Sequence, residues 1–300
     1  MREHLRRRGF CSLVLASGVA LETTGSICAR AASGESFGET AQPKLIALLP
    51  PEIAKSKTIT VAVALGSPPD DFRNEKGEID GWEIDILKAV AAVLGLDLRL
   101  RPTTFDALIP GLQSKRFDAA VGQIGLTEVR ENVVDMVGTL TGNELFAARA
   151  DSGIEVNSLD DICGVTVATT RGSREYEFAL GHQARCKALG RKPIDVLTFN
   201  SGTDAADALM SKRADLFWVG STAVSYFVRQ SNGRTKVVGS YTDKAYIGIA
   251  LPKGSAFVPA LQAAIQHLMD DGTYQKIIKK WGLESGAITK VPVNPKGAPT

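Results

Sequence analysis

The spacing of apolar residues changes from helical to strand-like in one stretch of the first half of the chain. Leu108, Ile109 and Leu112 recur at the spacing of a helix face. The run Asp118–Gly122 that follows is short and apolar, which is typical of a parallel strand covered on both faces. The pattern predicts a helix, a turn and a buried strand, and the strand end delivers Gln123 and its successors to the edge where open α/β sheets bind ligands.

The same pattern occurs a second time, 97 residues further along the chain (residue 211 against residue 114). Ser114–Asp118 aligns with Ser211–Asp215 as Ser-Lys-Arg-x-Asp, with a helical pattern before it and an apolar run after it in both places. Thr60–Ser67 and Thr166–Ser173 also correspond, because each is a strand pattern that ends in Gly-Ser. Two α/β lobes of similar topology that point strand ends into a shared cleft would explain the repeat. Chance similarity of short α/β segments is the alternative.

The remaining patterns place the lobes along the chain. The further predicted elements are strands over Ile59–Leu65, Lys236–Ser240 and Ala245–Leu251, a helix capped by Asp85, and helices over Phe257–Asp271 and Tyr274–Trp281. Residues 52–147 and 245–290 are expected to form the first lobe and residues 148–244 the second. The predicted fold class is α/β, with crossings between the lobes near Ala147–Asp151 and Tyr241–Ala245.

Length and charge exclude some classes of partner. A chain of 300 residues accommodates two domains of about 100–150 residues each. Lys and Arg number 35 against 33 Asp and Glu, but five arginines and two glutamates lie within residues 1–31. The remainder carries 30 basic and 31 acidic residues, so it gives no reason to expect nucleic acid as a partner.

Residues 1–31 resemble an export signal. Three arginines at positions 6–8 precede the apolar run Phe10–Leu21, and small residues follow as far as Ala31. This run is shorter than a membrane span of about 20 residues. We expect cleavage near Ala31 and a location in the periplasm or on the outer face of the cell membrane. Arg7 and Arg8 leave twin-arginine export open as an alternative to the general route, and Cys28, which follows a poor lipobox, leaves a lipid anchor open.

Two cysteines, Cys163 and Cys186, remain once such a signal is removed. An even number of cysteines in an exported protein indicates one disulfide. Two unrelated buried thiols are the alternative.

Five motifs in a fixed order resemble the family 3 solute-binding proteins, the amino-acid receptors of ABC importers. They are GEIDGWEIDILKAVAAVLG, FDALIPGLQSKRFDAAV, LTEVR followed by VVDM, SKRADL with QSNGRTKVVG, and DGTYQKIIKKWG. The resemblance covers roughly residues 52–290 and implies a type II periplasmic binding protein fold, in which two Rossmann-like lobes joined by two crossovers close on a solute. DICGVTVA with RCKALG is similar to a branch that carries a disulfide in its second lobe.

The resemblance also implies the residues of a binding site. Relatives grip the carboxylate of the ligand with the arginine of a T-x-x-R loop, assisted by the threonine hydroxyl, and Thr127 and Arg130 correspond to these residues. Backbone amides at Gly172 and Ser173 correspond to further donors for the same carboxylate. The aromatic residue that often stacks on the ligand corresponds to Phe105.

Two of these assignments have specific alternatives. An acid on the first loop, Asp70 or Asp71, corresponds to the residue that often reads the ligand side chain, although turn acids are common there. Arg130 offers a planar fork of donors suited to a carboxylate. A solvated arginine, or one paired with Glu128 or Glu131, is the alternative on the residues alone.

Two positions depart from the pattern of the family. Gly220 stands where relatives usually carry the aspartate that binds the α-ammonium, and Gly125 replaces a serine that commonly helps the carboxylate. A buried ammonium needs a carboxylate or several carbonyls. An acid of the first loop or Glu144, with backbone carbonyls near Gln123, would then accept the ammonium. Otherwise the ligand lacks one.

The sequence contains no metal-ligand spacing, phosphate-binding loop or nucleophile elbow, so we expect neither a metal nor a cofactor. We predict a monomeric binding protein, not an enzyme, that captures a polar amino acid or similar small carboxylate and presents it to an ABC permease in the membrane. A hydro-lyase of the cyclohexadienyl dehydratase type on the same scaffold is one alternative. A ligand-binding sensor module is another.

Overall fold

The computed structural model describes residues 37–296, apart from the side chains of residues 242 and 243. The predicted export signal lies outside the described residues. The strands are β1 (Thr58–Ala64), β2 (Phe72–Arg73), β3 (Ile79–Asp80), β4 (Asp97–Thr103), β5 (Ala119–Gly125), β6 (Val134–Arg149), β7 (Thr166–Thr170), β8 (Asp195–Phe199), β9 (Leu216–Gly220) and β10 (Thr235–Pro252). The helices are α1 (Pro43–Ile46), α2 (Pro51–Ser56), α3 (Trp82–Leu94), α4 (Leu108–Gln113), α5 (Glu128–Glu131), α6 (Arg174–Ala188), α7 (Gly202–Met210), α8 (Ser221–Gln230), α9 (Val258–Asp270) and α10 (Thr273–Trp281).

Eight strands form one mixed sheet in the order β4-β1-β5-β10-β6-β9-β7-β8, and β2 pairs with β3 in a separate hairpin. Strand β1 lies parallel to β4 and β5, and β7 lies parallel to β8 and β9. The long strands β6 and β10 run antiparallel to each other and to the flanking strands β9 and β5. Two parallel groups are thus joined by one antiparallel ribbon, which confirms the α/β class.

The repeated Ser-Lys-Arg-x-Asp motif occupies equivalent places in the two groups. Lys115 and Lys212 both adopt left-handed backbone conformations, with φ of 56° and 62°, where α4 and α7 turn into β5 and β9. The Asp118 carboxylate accepts the backbone N–H of Thr60 at 2.8 Å, and the Asp215 carboxylate accepts that of Thr166 at 3.2 Å. Each aspartate therefore ties its strand to the first strand of its own group, and the repeat reflects two lobes of similar construction.

Alternate residues of the central strands face helices on opposite sides of the sheet. In the first group, Val61 and Val63 pack with α3, α9 and α10, whereas Ala62 and Ala64 pack with α4. In the second group, Trp218 packs in the cluster of α6, and its neighbours on β9 pack against α7 and α8. Each group therefore buries a core of its own on both faces.

Strand β10 corrects the sequence prediction of two separate strands. The sequence predicted the return crossing near Tyr241–Ala245 with a strand on either side, whereas one strand spans the whole segment, and its ladder with β6 is interrupted by a register shift between Tyr241 and Ala245. Strand β6 pairs with β10 along its length, and from Glu144 onward it also pairs with β9 on its other edge. We therefore propose that the second lobe comprises residues 144–244, and we use lobe 1 for the remainder of the described chain and lobe 2 for these residues.

The sequence suggested Asp85 as the N-cap of α3, but the structure places Gly81 there. The helix begins at Trp82 after Gly81, whose φ of 137° favours glycine. Asp85 lies in the first turn and is 1% exposed, and its carboxylate accepts hydrogen bonds from Lys280 Nζ and Trp281 Nε1, both at 2.9 Å. The acid anchors α10 to α3, a role that local sequence does not reveal.

The structure contains the Cys163–Cys186 disulfide, which links the segment before β7 to α6 with a Cα–Cα distance of 5.5 Å. His182 lies near both sulfur atoms, but a disulfide offers no thiolate to a metal ion. Within residues 37–296, no helix has the length and apolar character needed to cross a membrane.

Candidate functional site

A cleft lies where the carboxyl ends of the parallel strands of both lobes meet. Its lining includes residues at or just beyond the ends of β1, β5, β7, β8 and β9. The cavity inside it has a volume of about 50 Å³, which is space for a few water molecules. The topology thus places the cleft at the edge that the first sequence pattern indicated.

Direct hydrogen bonds cross the cleft and explain its small volume. Thr203 donates from its backbone N–H and its hydroxyl to the carbonyl of Gly66, at 2.9 and 2.8 Å. The Gly202 N–H donates to Ser67 Oγ at 3.2 Å. Gln123 Nε2 of lobe 1 donates to Thr222 Oγ1 of lobe 2. The structure therefore shows the two lobes in a closed arrangement.

Six of the nine ligand-binding residues predicted from the sequence line this cleft. They are Phe105, Gln123, Gly125, Arg130, Ser173 and Gly220. Thr127 and Gly172 are not among the residues that line it, and Asp71 lies in the interior of lobe 1.

Arg130 is a buried cation at one wall of the cleft. It is 6% exposed, and its guanidinium lies over the Phe105 ring at 5.5 Å from the centroid. Nη1 donates to the carbonyl of Gly125 at 3.0 Å, and Nη2 reaches the carbonyl of Gly172 at 3.5 Å. Burial lowers the pKa of Arg130 from its ordinary value, but an arginine side chain stays protonated in proteins.

The alternative partners of Arg130 do not hold it. Among residues 37–296, no carboxylate forms an ion pair with its guanidinium at 4.0 Å or less, and Glu128 is exposed to solvent. Glu131 instead accepts the backbone N–H of Lys296 at 2.9 Å. A buried guanidinium without a carboxylate partner is a favourable binding site for an anion, to which it can donate hydrogen bonds.

Thr127 and Ser173 act as helix caps. The Thr127 hydroxyl accepts the backbone N–H of Arg130 at 3.3 Å and so begins α5. The Ser173 hydroxyl accepts the N–H of Tyr176 at 3.2 Å and begins the 15-residue helix α6 at the cleft wall. Thr127 therefore orients Arg130 through the backbone, and the start of α6 directs a positive helix end at the cleft.

Asp71 does not reach the cleft, contrary to the expectation for the first loop. The loop closes in a tight turn in which the Gly66 N–H donates to the Asp71 carbonyl at 2.9 Å. This turn directs Asp70 and Asp71, both 0% exposed, toward Glu83 in the interior. Trp82 Nε1 donates to Asp70 Oδ1 at 2.6 Å. The two aspartates therefore belong to a buried acid cluster with Glu83.

The acid cluster contacts the backbone of Gln123, a residue that lines the cleft. Burial raises the pKa of Asp70 to about 7 and, with the charge of Asp70, the pKa of Glu83 to about 8. Burial and the neighbouring carboxylates raise the pKa of Asp71 well above its ordinary value. Glu83 Oε2 accepts the backbone N–H of Gln123 at 2.8 Å, and Gln123 has a positive φ of 55°. The cluster thus holds a strained residue whose side chain crosses the cleft.

Two charged residues of the cleft follow directly after Ser173 and were missed from the sequence. Arg174 forms an ion pair with Glu144 at 2.5 Å, and the two side chains are only 11% and 9% exposed. Glu175 is buried beside them, and burial followed by the charge of Glu144 raises its pKa to about 7. The signal was available, because the first turn of a helix that opens at a cleft presents its side chains to that cleft.

The two glycines that depart from the family pattern both adjoin these charged groups. A Cβ on Gly125 would lie 3.6 Å from Arg174 Nη1 and 3.8 Å from Arg130 Nη1, so both guanidiniums approach one point. A Cβ on Gly220 would meet the Gln123 side-chain amide, which fills the space beside it. Gly220 also lies directly opposite Glu144 in the β6–β9 ladder.

The model of the bacterial extracellular solute-binding proteins, family 3, matches residues 59–284. The chain belongs to this family. The arginine-binding protein ArgT of Corynebacterium glutamicum is 32% identical over 256 residues, which cover 84% of this chain and 83% of ArgT.

Solved structures agree with the fold of this solute-binding protein. The P235GK mutant of ArgBP from T. maritima matches with a TM-score of 0.69 and 27% identity, over 79% of this chain and 99% of that one. An ancestral amino acid-binding protein, AncCDT-1, described as a precursor of cyclohexadienyl dehydratase, matches with a TM-score of 0.68 and 26% identity, over 77% and 97% of the two chains. The type II periplasmic binding protein fold that the motifs implied is confirmed.

Proposed function

We propose that the protein is an extracytoplasmic receptor that binds a small polar carboxylate, foremost an amino acid, and delivers it to an ABC permease. The observation that carries this proposal is Arg130, a buried guanidinium at the strand ends with no carboxylate partner among the described residues. Family membership and the amino-acid-binding relatives support the same conclusion.

In this proposal the ligand carboxylate lies against Arg130, and the amide groups at the start of α6 add donors from lobe 2. The ligand contacts both lobes and therefore favours the closed arrangement. A monomer of this kind would present its closed form to the permease, and release would require the cross-cleft hydrogen bonds to break. The order capture, closure, docking and release follows from a cleft whose two walls belong to different lobes.

The test is a binding survey on the purified protein without residues 1–31. Thermal shifts with the common amino acids and with small organic acids would identify candidates, and titration calorimetry would then measure affinity. We expect at least one carboxylate solute to bind with a Kd in the micromolar range or below. Absence of binding by every carboxylate, together with binding of a neutral or cationic solute, would refute the proposal.

One observation favours a second function, that of a hydro-lyase. Glu175 lines the cleft and has a pKa raised to about 7 by burial, a value suited to proton transfer near neutral pH. The likeness to a precursor of cyclohexadienyl dehydratase supports this candidate. Ultraviolet absorbance would detect an aromatic product formed from a cyclohexadienyl substrate. Turnover that Glu175→Gln abolishes would establish the enzyme, and binding without turnover would exclude it for that substrate.

A further inference from the structure

The ammonium of an amino acid has no side-chain partner at position 220, because that residue is glycine. Two acidic residues nevertheless line the cleft together with Arg174, namely Glu144 and Glu175. Glu144 lies on β6 directly opposite Gly220 of β9. Residues opposite each other in an antiparallel pair have side-chain attachment points about 5 Å apart. A carboxylate is thus present one strand away from the position where the sequence lacks it.

Glu144 is better placed than Glu175 to accept a cation. Its carboxylate already accepts one, the Arg174 guanidinium, at 2.5 Å. Glu175 is buried close to Glu144, and that neighbour together with burial favours its protonated form. Glu144 is therefore the acid that already pairs with a cation, and Glu175, whose pKa burial and then the charge of Glu144 raise to about 7, is the weaker candidate.

We propose that Glu144 binds the ammonium of an amino-acid ligand and that Arg174 stays ion-paired with Glu144 until the ligand binds. This inference rests on the proposed receptor function and specifies its ligand as a zwitterion. Arg174 Nη1 lies 3.6 Å, and Arg130 Nη1 3.8 Å, from the position of a Gly125 Cβ. A ligand carboxylate that lies against Gly125 within reach of both guanidiniums would attract both, and so would draw Arg174 away from Glu144.

The exchange gives each of these charged groups a partner of opposite charge once the ligand is bound. Before binding, Arg174 pairs with Glu144 while Arg130 lacks a carboxylate among the described residues. After binding, the ligand carboxylate faces Arg130 and Arg174, and the ligand ammonium faces Glu144. A 2-hydroxy acid supplies the carboxylate but no cation, so Glu144 would lose the ion pair with Arg174 without gaining a cation in exchange if Arg174 moved. Loss of an ion pair at a buried carboxylate makes that outcome costly.

The experiment compares α-amino acids with their 2-hydroxy acid analogues on the wild type and on Glu144→Gln. The amino acid with the largest thermal shift and its hydroxy analogue are titrated by calorimetry. We expect the wild type to bind the amino acid at least tenfold more tightly than the analogue. Glu144→Gln should weaken amino-acid binding by about tens to thousands of fold, as loss of one partner of a buried charge pair does. Binding of the hydroxy acid should not weaken, and it should tighten if Arg174 moves to the ligand, because Glu144→Gln leaves no buried carboxylate without a cation.

Glu155→Gln is the matched control. It removes a glutamate from an ion pair with Lys236 at 2.9 Å, but Glu155 is 63% exposed and does not line the cleft. Its amino-acid affinity should equal that of the wild type. Should Glu144→Gln fail to fold, the wild-type comparison still tests the inference, because equal affinity for the hydroxy acid would overturn it.

The outcomes separate this inference from the receptor proposal. Equal wild-type affinity for the hydroxy acid, or an unchanged amino-acid affinity in folded Glu144→Gln, would overturn the role of Glu144 while the receptor function stands. Failure of every carboxylate to bind would instead overturn both. A specific loss of amino-acid binding in Glu144→Gln supports both.

Discussion

Replacement of Arg130 by alanine removes the group on which the proposed site depends most. A guanidinium has five N–H donors, and Arg130 uses them on two backbone carbonyls, those of Gly125 at 3.0 Å and Gly172 at 3.5 Å. The remaining donors of this 6% exposed side chain are available to a ligand in the cleft. Arg130→Ala therefore deletes the charge without deleting a salt bridge between described residues.

The expected loss of affinity follows from the burial of the charge pair that Arg130 would form with the ligand carboxylate. Truncation of one partner of a buried, hydrogen-bonded charge pair costs about 2–5 kcal/mol, and each 1.4 kcal/mol is about tenfold in affinity. Arg130→Ala should thus weaken binding by about 30-fold to several thousand-fold. The lower end applies if Arg174, whose Nη1 approaches the same point near Gly125, takes over the carboxylate. The upper end applies if Arg174 stays on Glu144.

Titration calorimetry with the amino acid that gives the largest thermal shift is the direct assay. Arg116→Ala provides a matched control, because Arg116 also lies over a phenylalanine ring, that of Phe117 at 5.2 Å, but is exposed and outside the cleft. The control should bind like the wild type. Folded Arg130→Ala with an affinity within threefold of the wild type would refute the assignment of the carboxylate site.

Three further predictions concern stability and shape. Burial raises the pKa values of Asp70 and Glu83 to about 7 and about 8. The folded state therefore retains protons that the unfolded state loses from about pH 4 upward, so the free energy of unfolding should fall as pH rises through 7–8. The melting temperature should be lower at pH 8 than at pH 5, and this difference should be smaller in Glu83→Gln. The Cys163–Cys186 bridge spans 23 residues, so reduction should cost about 3 kcal/mol of unfolding free energy; alkylated intact mass with and without reductant checks the bridge, and two free thiols in unreduced protein would contradict it. Small-angle scattering should show a smaller radius of gyration at saturating ligand, and identical curves with ligand bound would argue against a hinged receptor unless the free protein is already closed, as in this structure.

Much of the fold was accessible from sequence because its signals are local. The helix, turn and strand around Ser114–Asp118 and Ser211–Asp215 require only periodicity and a repeated turn motif, and the structure places both motifs at equivalent points. Strand β10 was divided in two because residues 241–244 are polar. Its continuity depends on pairing with β6 on both sides of this segment, which is a contact between distant parts of the chain.

The site shows the same division between local and non-local information. Arg130 was identified from a motif that places it after a strand end, and the structure brings it to the cleft wall. Asp71 was assigned to the cleft because loops at strand ends usually face ligands, but a tight turn directs it toward Glu83. The pairing of Arg174 with Glu144 joins a helix start to a strand 30 residues earlier (residue 174 against residue 144), so no local pattern announces it.

The β6–β10 ribbon determines how the cleft can open. Both connections between the lobes are strands of one hydrogen-bonded ladder, not two independent loops. Such a ribbon bends and twists as a unit, which couples the two connections and leaves the lobes few independent directions of movement. The register shift between Tyr241 and Ala245 is the place where this ladder is already interrupted. We expect substitutions there to change the balance between open and closed forms, and therefore the apparent affinity, although they alter no group assigned to the carboxylate or ammonium of the ligand.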